Sequence, residues 1–349
     1  MCLDRTIEIS GRKIGPGCPP LVIAEIGINH EGDINKANQM VDDANAVGCE
    51  CVKFQSHIIE DEMIPAAQNI IPGNADESIW DIMKRCTLTE EEEVHLKAYV
   101  ESKGMIYLCT PFSRVAAERL RAMNVEMYKI GSGECNNYPL IKHIASFGKP
   151  IILSTGMNNL DSIEPAVDIL RKGAIPYALL HCTSIYPTPY SKVRLGAVAS
   201  LAKRFSDAII GLSDHSLGNY TSLAAVALGA CIIEKHFTSD KSWSGPDIPI
   251  SIDPDELNEL IKGSKAVYQA LGGTKDILPE EKPTIAFAYA CVAAIRDIEE
   301  GEVLTYDNIW VKRPGTGEIK AVDFEGILGK TTKTSIRNNE QIRWDQVNV

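Results

Sequence analysis

Residues 231–237 read CIIEKHF. The run starts as a buried strand should, Cys231-Ile232-Ile233, then sets Glu234, Lys235 and His236 in a row before returning to Phe237. An edge strand meeting solvent would explain three ionisable residues, and so would a functional site at the strand's end. The other runs of the chain decide between these. LVIAEIG (21–27), CECVKFQ (49–55), GMIYLCT (104–110), VEMYKIGS (125–132), PIILSTG (150–156), YALLHCTS (177–184) and AIIGLSD (208–214) share its character. With CIIEKHF they make eight β-rich runs, and helix-like stretches separate most of them, at 35–48, 90–104, 113–123, 138–148, 160–173 and 219–229. Several of these stretches end in Gly, as helices commonly do. Strand–helix alternation implies parallel strands joined by crossover helices. Eight such units predict an α/β fold closed as a (β/α)8 TIM barrel, with a last helix over 253–273 completing the ring.

The 349-residue length leaves room for a second unit, since one such barrel uses about 250 residues. We read residues 1–273 as the barrel, the polar, two-proline stretch TKDILPEEKPT (274–284) as a linker, and 285–349 as a small β-rich domain. Residues 56–89 are too long for a simple connection. Following the second strand, they predict a lid or pocket wall on the barrel's C-terminal face.

The formal charge of −12, with no Lys or Arg tract, argues against nucleic acid and anionic membrane as partners. No run approaches a membrane span, and the first residues lack the apolar core of a signal peptide. Ten cysteines show no Cys-x-x-Cys spacing, and several sit in apolar runs. A reduced, cytoplasmic protein is the expectation.

Barrel enzymes build their sites at the C-terminal ends of the strands. The polar residues there are Glu25, Lys53 with Gln55, Thr110, Lys129 with Ser132, Ser154, Thr183 with Ser184, Asp214 with His215, and Glu234 with His236. All eight runs contribute one or more, which favours a site over an edge. His215 and His236 come from consecutive strands. Two imidazoles without nearby Cys suit an open, oxygen-rich site for Mn2+, Mg2+, Fe2+ or Co2+; the plainer alternative is a hydrogen-bonded core histidine. Buried Lys53 and Lys129 need partners. An anionic phosphate or carboxylate ranks first, helped by Ser132 and Ser154. A structural ion pair with Glu25 or Glu134 ranks second, and a Schiff-base lysine third. Asp247, in SGPDIP, follows the eighth strand closely enough to reach the site, or else simply serves its turn.

Several stretches together carry a resemblance: AEIGINHEG (24–32), VKFQ (52–55), TPFS (110–113), KIGSGECNNYPL (129–140), LSTGM (153–157), HCTSIYPTP (181–189), GLSDHS (211–216), EKHF (234–237) and GPDIPIS (245–251). In order and spacing they resemble the bacterial N-acetylneuraminate (sialic acid) synthases over about residues 20–320. The segment IWVKRPGTG (309–317) is similar to the small antifreeze-like (SAF) domain that closes that family. The resemblance implies a transferase that condenses phosphoenolpyruvate with N-acetylmannosamine and water, giving N-acetylneuraminate and phosphate. It implies a divalent metal, commonly Mn2+ with Mg2+ or Co2+ as alternatives, on His215 and His236. Lys53, Lys129, Ser132, Ser154 and Ser184 would surround phosphoenolpyruvate, with Thr110 nearby. Glu25, Gln55, Tyr186 and Asp247 would face the sugar, and Glu25 and Asp247 are the candidates for proton transfer. Arg313, with Phe287 beside it, would reach the sugar from the small domain of a partner chain in a domain-swapped homodimer. Three other functions compete. One is a legionaminic or pseudaminic acid synthase acting on a 6-deoxy diacetamido sugar. The others are a Schiff-base lyase and a non-catalytic sugar-binding barrel. AEIGINHEG looks closer to the sialic acid branch than the AEAGVNHNG type associated with the legionaminic one.

Overall fold

Eight short parallel strands form one sheet in the computed structural model, which describes residues 5–348. They follow a hairpin that the sequence reading did not anticipate, β1 (Ile7–Ile9) with β2 (Arg12–Ile14). Its turn is tight because Ser10 and Gly11 both adopt positive φ. The barrel strands are β3 (Leu21–Gly27), β4 (Cys51–Ser56), β5 (Ile106–Pro111), β6 (Tyr128–Ile130), β7 (Ile151–Ser154), β8 (Tyr177–Cys182), β9 (Ile209–Asp214) and β10 (Ile232–His236). Their order in the sheet is β5-β4-β3-β10-β9-β8-β7-β6, so β10 pairs with β3, and β5 and β6 pack side by side where the ring closes. The strands close into a TIM barrel.

Helices stand where the periodicity predicts them, at Ile34–Ala46, Glu90–Ser102, Arg114–Ala122, Tyr138–Ala145, Leu160–Lys172, Tyr220–Ala227 and Pro254–Ala270. Local chemistry starts several of them: Thr89 with Glu92, and Asp253 with Glu256, form reciprocal capping boxes. One more helix, Gly196–Arg204, links β8 to β9. Outward-facing strand residues such as Val22, Ala24, Val52, Phe54, Leu179 and Ile233 pack against this helical layer in the main core. The strands' other face lines the barrel. At its N-terminal end Leu21, Ile23, Cys51, Leu108, Ile152, Leu180 and Ile232 make a second apolar cluster, joined by Ile7, Ile9 and Ile14 of the hairpin. The hairpin therefore plugs the bottom of the barrel.

The chain divides into two compact units, Met1–Gly272 and Gly273–Val349. The second begins within the stretch read as a linker, and that stretch is not wholly irregular. A 3-10 turn spans Pro279–Glu281 and a helix spans Lys282–Ala288. The two prolines that suggested a linker occupy first-turn positions of these elements, where the missing N–H costs nothing. Beyond them β11 (Cys291–Ala294) pairs antiparallel with β12 (Ile309–Lys312), isolated bridges tie in the loops, and Val292, Ala294, Ile309, Ile319, Ile336 and Ile342 supply a core. Among the described residues no helix is long and apolar enough to cross a membrane, and the cysteines are free.

Candidate active site

Side chains along a strand alternate between its two faces, and that period decides what enters the barrel. The inward phase runs Ile23-Glu25 on β3, Cys51-Lys53-Gln55 on β4, Leu108-Thr110 on β5, Ile152-Ser154 on β7, Leu180-Cys182 on β8 and Ile232-Glu234-His236 on β10. In each case the first member lies in the apolar plug and the later ones line a cavity of about 590 Å3 at the C-terminal end. All candidates from the first unit line this one cavity: Glu25, Lys53, Gln55, Thr110, Lys129, Ser132, Ser154, Ser184, Tyr186, His215, His236 and Asp247. Phe287 and Arg313 belong to the second unit, are exposed, and are not part of the lining. Pro72, Gly73, Asn74, Ile79, Ile82 and Met83 from the 56–89 insertion also line it, so that segment is a cavity wall.

The same period corrects two strand-end residues. Asp214 and Thr183 are on the outward phase and do not line the cavity. Ser213 and Cys182, one position earlier, do. Lys235 likewise faces outward, where its Nζ lies 3.1 Å from Asp214 Oδ2 and donates to the Ser216 carbonyl at 2.6 Å. Asp214 also accepts from Thr221 and Ser222. Of the three ionisable residues in CIIEKHF, two therefore serve the cavity and one knits β10 to the loop carrying His215.

Four buried charges form the cavity floor. Lys53 Nζ lies 2.7 Å from Glu25 Oε2 and 3.9 Å from Glu234 Oε2, and Lys129 Nζ lies 3.7 Å from Glu234 Oε1. Lys53 also donates to Thr110 Oγ1 at 3.2 Å, and Lys129 to Ser154 Oγ at 2.7 Å. The ion pair that ranked second for Lys53 is thus present alongside its access to the cavity. Glu234, noted at its strand end but given no role there, is the carboxylate both lysines share. Burial works against its ionisation, but Lys129, Lys53 and the Ser213 hydroxyl outweigh this and hold it below the usual carboxylate range. Glu25 goes the other way: burial, only partly offset by Lys53, raises its proton affinity. Burial also lowers the proton affinity of Lys129 and raises the Asp247 carboxyl to about 6.

Two glycines shape the site. Gly27 adopts φ +54° at an irregularity in the β3–β4 register, and a Cβ there would press within 3.2 Å of Glu25 Oε1 and 3.1 Å of Gln55 Nε2. At Gly156 a Cβ would meet Ser184 Oγ at 2.4 Å and Ser132 Oγ at 2.8 Å. The bare backbone there leaves the hydroxyls of 132 and 184 room to converge.

The rings of His215 and His236 have centroids 5.4 Å apart, and Tyr186 stacks on His215 at 4.2 Å. His215 Nδ1 lies 3.0 Å from the Thr183 carbonyl and donates to it, so Nε2 is the nitrogen left for a cation. Burial works against a charge on this ring, but the Cys182 thiol 3.8 Å away outweighs it and raises the imidazole to about 9, so a cation there must displace a proton. His236 Nδ1 is buried without a hydrogen-bond partner, 3.7 Å from Asp247 Oδ2. Among the described residues no set of three or more His, Cys, Asp and Glu side chains is grouped as metal ligands. The pair fits a hard divalent cation whose remaining ligands are oxygens of substrate and water, and does not fit a closed all-protein site.

A protein-family model, the NeuB family, matches residues 40–276, and the SAF domain matches residues 289–348. The chain belongs to the NeuB family. Its relatives include the N,N'-diacetyllegionaminic acid synthase of Campylobacter jejuni, 38% identical over 93% of this chain and 98% of that one. The human N-acetylneuraminate-9-phosphate synthase is 33% identical over 95% of this chain and 94% of that one. Among solved structures, the N-acetylneuraminic acid (sialic acid) synthetase of Leptospira borgpetersenii superposes with a TM-score of 0.74 at 33% identity, covering 80% of this chain and 95% of that one. This NeuB-family barrel thus carries its polar lining where the strand-end motifs lie. Sequence reading missed Ser213, Asn74 and Phe112 of the lining, and His57 just behind it, and gave Glu234 no role. The two-residue period, applied within 208–214 and carried one step past the runs ending at 55 and 110, would have found all but Asn74, which only the folding of the insertion brings in.

Proposed function

We propose that this NeuB-family enzyme joins phosphoenolpyruvate to the open-chain aldehyde of an N-acylated aminosugar, with N-acetylmannosamine the first candidate and N-acetylneuraminate and phosphate the products. The observation that carries this is one cavity holding two buried lysines, two serine hydroxyls over a glycine cradle, two facing imidazoles and two carboxyls of raised proton affinity. Lys53 and Lys129, with Ser132, Ser154 and Ser184, hold the phosphate and carboxylate of phosphoenolpyruvate and orient its C3 towards the aldehyde. His215 and His236 would hold a divalent cation, Mn2+ by first choice, which would supply positive charge where negative charge develops on the aldehyde oxygen. As C3 bonds to the aldehyde carbon, water adds at C2 and phosphate departs, leaving the 2-keto acid. Glu25 and Asp247, whose hold on a proton burial strengthens, are the candidates to pass one to or from the sugar oxygens. Gln55 and Tyr186 line the sugar's side. We assign Arg313 and Phe287 to the N-acyl end, supplied by a partner chain of a domain-swapped homodimer working in the cytoplasm.

The sugar in this proposal carries no phosphate. The lining's lysines lie at the phosphoenolpyruvate end, and the adjoining depression is flanked by Glu31, Asp76 and Glu77, with Arg85 already engaged by Glu31 and Glu77. A second reading, a 6-deoxy diacetamido sugar, has one observation in its favour, the 38% identity to the Campylobacter legionaminic acid synthase. Phosphate release from phosphoenolpyruvate by metal-stripped protein tests both. Release that requires Mn2+ and N-acetylmannosamine supports the first, and release only with the diacetamido sugar supports the second. Release with neither sugar sinks both.

A further inference from the structure

Behind the cavity a chain of polar contacts leads out to the insertion. Gln55 Nε2 donates to Glu25 Oε1 at 3.0 Å, His57 Nε2 lies 3.0 Å from Gln55 Oε1, and His57 Nδ1 lies 2.8 Å from Glu62 Oε2. His57 is buried at 2% exposure and stacks on Phe112 with ring centroids 4.4 Å apart. Glu62 closes the short helix Ile59–Glu62, which Asp61 fastens by accepting from the Val115 N–H at 2.9 Å.

Hydrogen-bond inventory fixes what this chain does. The two ends of a glutamine amide are similar in shape, so its neighbours must choose its orientation. If His57 Nε2 bears a proton, it donates to the amide oxygen and turns the NH2 towards Glu25. If Nε2 is bare, it faces an acceptor at 3.0 Å. The amide then turns, and its oxygen finds a partner in Glu25 only while that carboxyl carries a proton. The 2.8 Å contact between Nδ1 and Glu62 also needs a proton, so an Nε2–H requires either a second ring proton on Nδ1 or a proton on Glu62, whereas a ring whose one proton is donated from Nδ1 leaves Nε2 bare.

We propose that His57, held by Glu62, is a positioning residue: its Nε2–H fixes the Gln55 amide so that Gln55 presents its donor to Glu25 and to the sugar. This rests on the condensation reading above, and it gives the cavity-wall insertion a direct role in sugar recognition. Glutamine and asparagine separate the two ring nitrogens. Gln at 57 can place an amide N–H near Nε2, and Asn can place one near Nδ1. We expect His57→Gln to keep the sugar KM within about 3-fold, since the one donor it needs is retained. We expect His57→Asn to raise the sugar KM by ~10-fold or more while the phosphoenolpyruvate KM stays put. Glu62→Gln, which can donate to Nδ1 and keep Nε2 protonated, should behave as wild type. Equal behaviour of the Gln and Asn variants, or a loss shared equally by both substrates, overturns the proposal. So does a Glu62→Gln variant that behaves like His57→Asn. Nitrogen-15 NMR of the histidine rings gives a readout independent of turnover. A protonated Nε2 at His57 in wild type and in Glu62→Gln is expected, and a bare Nε2 overturns the proposal. If neither sugar releases phosphate, the condensation reading fails on its own account and the ring spectrum still decides the tautomer.

Discussion

The two ends of the barrel interior are built by the same strands in the same side-chain phase, yet one is dry and the other charged. At the bottom, Ile23, Cys51, Leu108, Ile152, Leu180 and Ile232 pack against the hairpin isoleucines. One inward step along those strands come Glu25, Lys53, Thr110, Ser154, Cys182 and Glu234. Apart from the irregularity at Gly27 on the polar level, the strands run on unchanged from one level to the next. The apolar level supplies stability through burial, and the polar level draws on it to keep charges out of water. The lesson is that burial alone does not describe a residue's role here: Ile232 and Glu234 are both buried, but only one of them needs partners.

Substitutions can break this contrast. Lys129→Met should be the most damaging, because it removes a cation from the buried Glu234. A broken buried pair costs roughly 3–5 kcal/mol, so chemical denaturation at pH 7 should show a loss of that order, together with loss of turnover. Glu234 is held ionised below its usual range in the wild type, so its stabilising share is present above the ordinary carboxylate range and fades as the solution is acidified. The deficit of the variant should shrink in the same direction. His236→Ala should leave the melting profile intact while phosphate release falls by ~1000-fold, an electrostatic effect at the reacting oxygen. Normal activity and metal affinity in that variant would dismiss the ligand assignment.

At the dry level, Leu180→Ala should cost about 3 kcal/mol by cavity formation and leave both KM values unchanged. A kinetic effect there would mean the two levels are mechanically coupled. Asp247→Asn sharpens the comparison from the other side. Burial lifts the Asp247 carboxyl to about 6, against an unfolded value near 3.9. Such a group favours the folded state only while protonated, so its contribution is complete below about pH 4 and is lost as pH rises through about 6. In metal-stripped protein Asp247→Asn should therefore gain about 3 kcal/mol at pH 8, with no gain at pH 4, as thermal melts at the two pH values would show. The smallest effect is expected outside the barrel: Arg313→Ala should raise the sugar KM ~10-fold, the loss of about one charged hydrogen bond, without moving the phosphoenolpyruvate KM. Equal loss of both substrates would make Arg313 structural.

Much of this molecule is legible one residue at a time. CIIEKHF and its seven companions predict strands close to those observed, and helices such as Leu160–Lys172 announce themselves by apolar spacing and capping residues. The site candidates of the first unit are legible too, because strand ends in a barrel converge. What escaped was phase and partnership. Asp214 and Lys235 look like site residues until the alternation turns them outward together. Glu234 became the shared partner of two lysines, where sequence reading offered Glu25 or Glu134. The N-terminal hairpin was overlooked because Ile7, Ile9 and Ile14 acquire meaning only when the open bottom of a barrel needs filling.

By itself the sequence determined the element types, the barrel topology and the chemical inventory of the cavity, because these follow from local periodicity and from the short-range preferences of each residue. Tertiary structure alone decided which buried charges offset one another, how far apart the two imidazoles stand, and that His57 and Glu62 back the Gln55 amide. Those outcomes depend on distances between strands, helices and an insertion far apart in the chain, and on burial that alters each group's hold on its proton; no local pattern encodes either.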